Sequence, residues 1–186
     1  VKATAGDLIG DWRNDGIAGV SIDSRSIKSD DRFVAVKAKR DGHNFINDAI
    51  RLGAKGALVD HIPADISSKT PLLLVPSVQE ALENLGKYRR ERSQAKLVAI
   101  TGSVGKTSSK NMLKTILELQ GKTHASPASF NNYLGVPLTL ANLPIDATYA
   151  VVEIGMNKPG EIEPLARMTS ADVVLITAIG KAHLEA

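Results

Sequence analysis

The chain has 186 residues, 43% of them hydrophobic, 23% charged and only 4% aromatic, the balance of a folded globular protein whose core is built from Val, Ile, Leu and Ala. It contains no cysteine, which excludes disulfides, thiolate metal sites and cysteine nucleophiles, and no apolar run reaches the length of a membrane-spanning helix. The formal net charge of +3 is spread along the chain, with 15 basic against 13 acidic residues in 1–92 and 8 against 7 in 93–186.

Lys87, Arg89, Arg90 and Arg92 form the one basic cluster, and a solvated helix end favoured by the helix dipole explains it better than a nucleic-acid surface does. The first residues, VKATAGDLIGDW, are too short and too polar a stretch for a secretory signal. A soluble cytoplasmic protein is therefore expected, with no nucleic-acid partner and no membrane span.

Branched aliphatic runs punctuated by turn residues predict an α/β fold in two blocks. In the first, strands are expected at 19–22, 32–36, 56–59 and 71–75, with a short helix from Asn44 to Leu52 that stops at Gly53. Ser77 followed by Glu80 is a capping box, and Val78, Ala81, Leu82, Leu85 and Tyr88 recur at helical spacing. The polar run 89–94 then reads as a linker. These signals divide the chain into residues 1–77, a connecting segment 78–95, and residues 96–186.

The second block opens on the apolar strand 97–101, which runs at once into Gly102-Ser103-Val104-Gly105-Lys106-Thr107-Ser108. A helix follows, expected to set Met112, Leu113, Ile116 and Leu117 on one side and Lys110, Lys114 and Glu118 on another, with Gly121 as its stop. Further strands are expected at 149–154 and 173–177, around a helix at 161–168 that carries Pro164. Strand–helix alternation of this kind implies a parallel sheet.

A strand that turns through glycines into a helix aims several backbone N–H groups and the positive end of the helix dipole at one point. Lys106 adds a full charge there, and the Thr107 hydroxyl is placed to reach a magnesium ion on a bound polyphosphate. The usual P-loop would require glycine at position 100, where this chain has Ile100, so the loop is a shortened form. Glu153 lies at a strand's C-terminal end, where ligands gather in open α/β sheets; it suits a magnesium site and equally an ordinary strand-end carboxylate. His183 falls at the same edge by topology, with a structural role as its alternative. Asn131 and Asn132 offer amide groups for sugar or phosphate recognition, or simply a turn. Asp23-Ser24-Arg25 offers a guanidinium for phosphate, or an Asx-turn with a surface arginine.

Taken in order, these segments resemble the Mur ligases, the ATP-dependent amide-forming enzymes of bacterial peptidoglycan synthesis. The matching pieces are Asp23-Ser24-Arg25, Asp41-Gly42-His43-Asn44-Phe45, the shortened loop 101–107, Phe130-Asn131-Asn132 with 135–140, Glu153-Ile154-Gly155-Met156, Gly160-Glu161-Ile162 and Ala182-His183-Leu184-Glu185. The Ser-Val pair in the loop and the Met156–Ile162 run are nearer to members that add D-alanyl-D-alanine to UDP-N-acetylmuramoyl-tripeptide than to members that add a diamino acid. The segment 37–40 departs from the family, which usually has a glycine and one more residue before Asp-Gly-His.

The resemblance implies a small UDP-sugar-binding domain followed by part of a P-loop-type ATPase domain, in an enzyme that is mostly monomeric. It implies ATP and Mg2+, with Gly102, Ser103, Val104, Gly105, Lys106, Thr107 and Ser108 around the phosphates. Thr107, Glu153 and His183 would serve the metal, with Lys106, Glu153 and His183 as the catalytic set. Ser24, Arg25, Asn131 and Asn132 would line the UDP-muramoyl-peptide. A diamino-acid-adding Mur ligase and a non-catalytic P-loop module are the alternatives. Members of the family continue beyond the Ala-His-Leu-Glu segment, so a chain of this length is expected to be an inactive fragment, weakly stable or self-associating along an exposed sheet edge.

Overall fold

Alternating strands and helices build two compact units, Val1–Leu85 and Gly86–Ala186, in a computed structural model that describes residues 3–12, 18–128, 130–156 and 159–180. Both are α/β, as the aliphatic patterning requires. No described helix is long and apolar enough to cross a membrane.

The first unit holds a five-stranded sheet in the order β1-β5-β4-β3-β2. Its strands are β1 (Asp7–Ile9), β2 (Val20–Ser21), β3 (Arg32–Val34), β4 (Ala57–Val59) and β5 (Leu72–Leu74). Neighbours pair in parallel except β1, which runs antiparallel to β5. Helix α1 (Ile46–Arg51) follows a 3-10 turn at Gly42–Phe45 and buries Ile46 and Ala49 in a core with Phe33, Ala35, Ala57, Val59 and Leu72. The expected strands are present but shorter, and β1 is additional.

Helix α2 (Val78–Arg92) runs through the boundary between the units. Ser77 accepts the Glu80 backbone N–H at 3.3 Å, one half of the expected capping box. The helix continues to Arg92, so 89–92 is not a linker, and the basic cluster divides: Lys87 and Arg92 are exposed at the helix end as expected, whereas Arg89 and Arg90 are half-buried. Arg89 donates to Leu143 O. Arg90 donates to Thr169 O at 2.8 Å and Ser170 O at 2.9 Å, and pairs with Asp172 at 3.4 Å. These guanidinium groups satisfy carbonyls at helix ends, where the dipole is negative.

The second unit is a four-stranded parallel sheet in the order β7-β8-β6-β9. It comprises β6 (Lys96–Thr101), α3 (Lys106–Glu118), β7 (Thr123–Ala125), α4 (Gly135–Ala141), β8 (Tyr149–Glu153), α5 (Ile162–Thr169) and β9 (Val173–Ile176). Leu97, Ala99, Val136, Leu140, Leu143, Val152 and Leu165 form its core. One expectation changes here, and β7 and α4 are additional. Helix α3 does not bury one apolar stripe: Met112 and Ile116 are exposed, while Lys110 is only 2% exposed. Strand β9, at the sheet edge, leaves Val173, Val174, Leu175 and Ile176 between 40% and 60% exposed.

Because Arg90 is anchored by several charge-assisted hydrogen bonds, Arg90→Ala is expected to lower stability to denaturant by about 2 kcal/mol. His124, on β7, donates from Nε2 to Thr139 O at 2.9 Å. Burial holds its imidazole below the ordinary value of 6.5, against the opposing pull of that hydrogen bond. The unfolded chain therefore takes up the proton first. Its contribution to stability is full above pH 6.5 and falls as the pH drops through and below that value. Melting curves across this range should show the loss, and His124→Gln should flatten it.

Candidate functional site

At the C-terminal end of the second unit's sheet, β6 ends at Thr101 and the chain turns through Gly102–Gly105 into α3. Gly105, at the start of the helix, has a left-handed backbone with φ 84, and no side chain caps α3. The first N–H groups of a helix have no intrahelical partner, so those of Lys106, Thr107 and Ser108 stand open beside the positive end of the dipole. Lys106 lies back across the loop, donating from Nζ to Gly102 O at 2.6 Å and reaching Ser103 O at 3.4 Å.

The segment after β9 stitches the loop in place. Thr177 donates its hydroxyl to Val104 O at 2.6 Å, with Thr101 O a second acceptor at 3.2 Å. Ser103 N–H donates to Ala178 O at 2.8 Å, and the Ser103 hydroxyl exchanges hydrogen bonds with Gly180. Ser103 thus spends its donors on this strap. Gly102 has φ +134, and a Cβ there would collide with the Thr177 hydroxyl and lie 2.9 Å from Ala178 O.

Across the sheet end, Glu153 closes β8 with its side chain 1% exposed. One carboxyl oxygen accepts from the Thr107 hydroxyl at 2.9 Å, and the other from Asn131 Nδ2 at 2.8 Å. The backbone N–H of Glu153 donates to the Ser126 hydroxyl at 3.1 Å. Asn131 is held in turn by Gly155, whose N–H donates to Asn131 O at 2.7 Å and whose missing side chain leaves room for the amide. Thr107, Glu153 and Asn131 therefore form one continuous hydrogen-bonded row at the mouth of the loop. A hydroxyl and a carboxyl oxygen side by side are a hard donor set, of the kind magnesium takes.

The remaining sequence candidates fall elsewhere. Asn132 turns its side-chain oxygen to the Leu134 and Gly135 N–H groups at 3.1 and 2.9 Å, opening α4. In the first unit, Asp23 accepts the Arg25 backbone N–H at 3.0 Å and grips its guanidinium at 2.9 and 2.7 Å. This realises the Asx-turn, and the Arg25 guanidinium beside Asp23 holds that carboxyl below its usual range. Ser24 begins the 3-10 turn that follows. His183 lies outside the described residues.

Two features were not among the site residues expected from the sequence. Lys110 is buried, donating to Ser126 O at 3.0 Å and Ala128 O at 2.7 Å; its spacing four residues after Lys106 was the only available clue. In the first unit, ligand atoms of Asp41, His43 and His61 all lie within 4.8 Å of one another. Both His43 nitrogens are already engaged, Nδ1 with Asp41 at 2.6 Å and Nε2 with the Asp60 N–H at 3.3 Å, and the two imidazoles stack with centroids 4.0 Å apart.

Comparison with known proteins places both units. A family model described as the Mur ligase middle domain matches residues 100–186, and one described as the Mur ligase family catalytic domain matches residues 16–91. The UDP-N-acetylmuramoyl-tripeptide–D-alanyl-D-alanine ligase of Rickettsia prowazekii is 43% identical over 89% of this chain and 37% of its own length. A crystal structure of MurF from Acinetobacter baumannii aligns with a TM-score of 0.84 at 37% identity, covering 98% of this chain and 40% of that one. MurF from Thermotoga maritima, in complex with ADP, aligns at 0.73 and 29% identity over 89% of this chain and 38% of that one. The chain spans well under half the length of these relatives.

The crowding at Gly102 makes a local test. Gly102→Ala adds a methyl to a left-handed position pressed against Thr177, and should lower stability by about 1–3 kcal/mol in denaturant titration.

Proposed function

Because the chain belongs to the Mur ligase family, we propose that it takes part in ATP-dependent amide-bond formation, joining D-alanyl-D-alanine to UDP-N-acetylmuramoyl-tripeptide for the bacterial cell wall. In this reading residues 1–77 bind the UDP-sugar, 78–95 connect, and 96–186 hold the ATP phosphates. The reaction takes place in the cytoplasm, where nucleotide-linked precursors and ATP are available.

The reading rests most on the Thr107–Glu153–Asn131 row beside an open helix N-terminus. Phosphate binding alone needs only the loop. A carboxyl group buried next to the loop threonine and shared with an asparagine provides a place where a metal-bound phosphate and a second substrate meet.

The chemistry follows in balanced steps. A carboxylate oxygen of the tripeptide attacks the γ-phosphorus of ATP, the bond to the β-phosphate oxygen breaks, and ADP departs. The amine of D-alanyl-D-alanine then adds to the carbonyl carbon of the acyl phosphate. The tetrahedral intermediate expels phosphate, and the amine loses its proton. Phosphoryl transfer of this kind depends on positioning and charge neutralisation.

Lys106 would leave the carbonyls of Gly102 and Ser103 for the β- and γ-phosphate oxygens, and the open N–H groups at the start of α3 would hold the same anions. Thr107 and Glu153 would hold Mg2+, which supplies charge neutralisation on the phosphates. A second ion is assigned to His183. Asn131 would keep Glu153 oriented and face the muramoyl-peptide, with Asn132 shaping the neighbouring turn. Ser24 and Arg25 are assigned to the UDP end, where Arg25 would exchange part of its grip on Asp23 for phosphate.

The test uses the complete gene product with ATP, UDP-N-acetylmuramoyl-tripeptide and D-alanyl-D-alanine, following phosphate release and product mass. Amide product is expected with the dipeptide and not with a diamino acid, and Lys106→Ala should lower kcat by about a hundredfold or more. Unchanged turnover in Lys106→Ala, or product only with the diamino acid, would overturn the reading.

A further inference from the structure

A buried lysine is an expensive way to hold a protein together. Desolvating an ammonium group is unfavourable unless its N–H donors meet acceptors, and removing a buried charged group leaves those acceptors without their donor. Lys110 is 2% exposed, and its partners are two backbone carbonyls, Ser126 O at 3.0 Å and Ala128 O at 2.7 Å. Among the described residues no carboxylate pairs with it. What the lysine holds is therefore set by those two carbonyls.

Both acceptors lead to the site. Ser126, itself 3% exposed, takes the Glu153 backbone N–H on its hydroxyl at 3.1 Å and donates its own N–H to Val151 O at 3.0 Å. Ala128 has a left-handed backbone with φ 44, a conformation a non-glycine residue keeps only where its surroundings hold it. Just beyond, Phe130 N–H donates back to Pro127 O at 3.1 Å, and Asn131 reaches Glu153. Lys110 stands one helical turn after Lys106, so the helix that presents the phosphate-binding amine also pins the turn that leads to Asn131.

Building on the ligase reading above, we infer that Lys110 is a positioning residue: it fixes Glu153 through Ser126 and Asn131 through Ala128, so that the row facing Thr107 keeps its register with the phosphate loop. Lys110 touches neither ATP nor the acceptor peptide. It acts through the carbonyls it holds.

The inference is tested on Lys110→Met, an unbranched apolar side chain of similar length. In this chain, heteronuclear NMR should show the Asn131 side-chain amide and the Glu153 backbone N–H exchanging about tenfold faster. Core amides of β6 should change less, and stability to denaturant should fall by no more than about 1–3 kcal/mol, the cost of leaving two carbonyls without this donor. Unchanged exchange at Asn131 and Glu153 would overturn the inference. So would a Lys110→Met chain that loses much more stability or fails to fold, because the lysine would then be a stability residue. These readouts need no ligation, so they are independent of the ligase reading. In the complete gene product, Lys110→Met should lower kcat by about tenfold or more with KM for ATP within about twofold. A wild type that does not ligate would count against the ligase reading; a wild type and Lys110→Met that ligate equally would count against this inference.

Discussion

Glu153 is buried at the end of a strand, and a buried carboxyl group must be given hydrogen-bond donors or it destabilises the fold. The donors here come from opposite sides: the Thr107 hydroxyl from the first turn of α3, and the Asn131 amide from the segment before α4. Meeting that requirement draws the glycine-rich loop and the asparagine segment onto one carboxyl group. The Glu153 backbone adds a third tie through Ser126. Three stretches distant in sequence are thereby aligned at one sheet end, and most of the second unit's irregular structure can be read as a consequence.

The loop itself is braced from the other side of the sheet. Strand β9 lies next to β6, and the residues after it bond to Thr101, Ser103 and Val104. This brace occupies the Val104 carbonyl and the Ser103 donors, and it leaves the N–H groups at the start of α3 unspent. The result is a site whose electrostatic character comes from backbone geometry before any side chain contributes. It also accounts for Gly102, where a side chain would occupy the space of the Thr177 hydroxyl.

Much of this arrangement is legible in the sequence because the strands carry it. Runs such as 97–101 and 149–154 are apolar on both faces, which is what a parallel strand covered by helices demands, and the glycine-rich turn between strand and helix has few other uses. The parts that escape are those where local pattern and tertiary demand diverge. Helix α4 buries every residue from Gly135 to Leu140, so it has no polar face and no helical period to detect. Strands β1 and β7, Asp-Leu-Ile and Thr-His-Ala, lack the unbroken aliphatic run that marks β4 and β5. Arg89 and Arg90 look like solvated surface charge, yet they reach carbonyls far away in sequence. Asn131 and Asn132 are chemically identical neighbours, and only the fold sends one to Glu153 and the other to the start of α4.

Helix α3 presents the sharpest divergence. By amphipathic logic its lysines face water and Met112 and Ile116 face the core; in the fold Met112 and Ile116 are exposed and Lys110 is buried. Lys106 and Lys110 are one turn apart and of the same type, yet their acceptors differ in a way that separates their roles. Lys106 rests on the carbonyls of its own loop, partners it can release without disturbing another element. Lys110 rests on carbonyls of the turn after β7, partners that cannot be released without freeing that turn. On the ligase reading the first lysine exchanges its partners and the second keeps them, and a helix turned with Met112 and Ile116 outward and Lys110 inward lets one element do both.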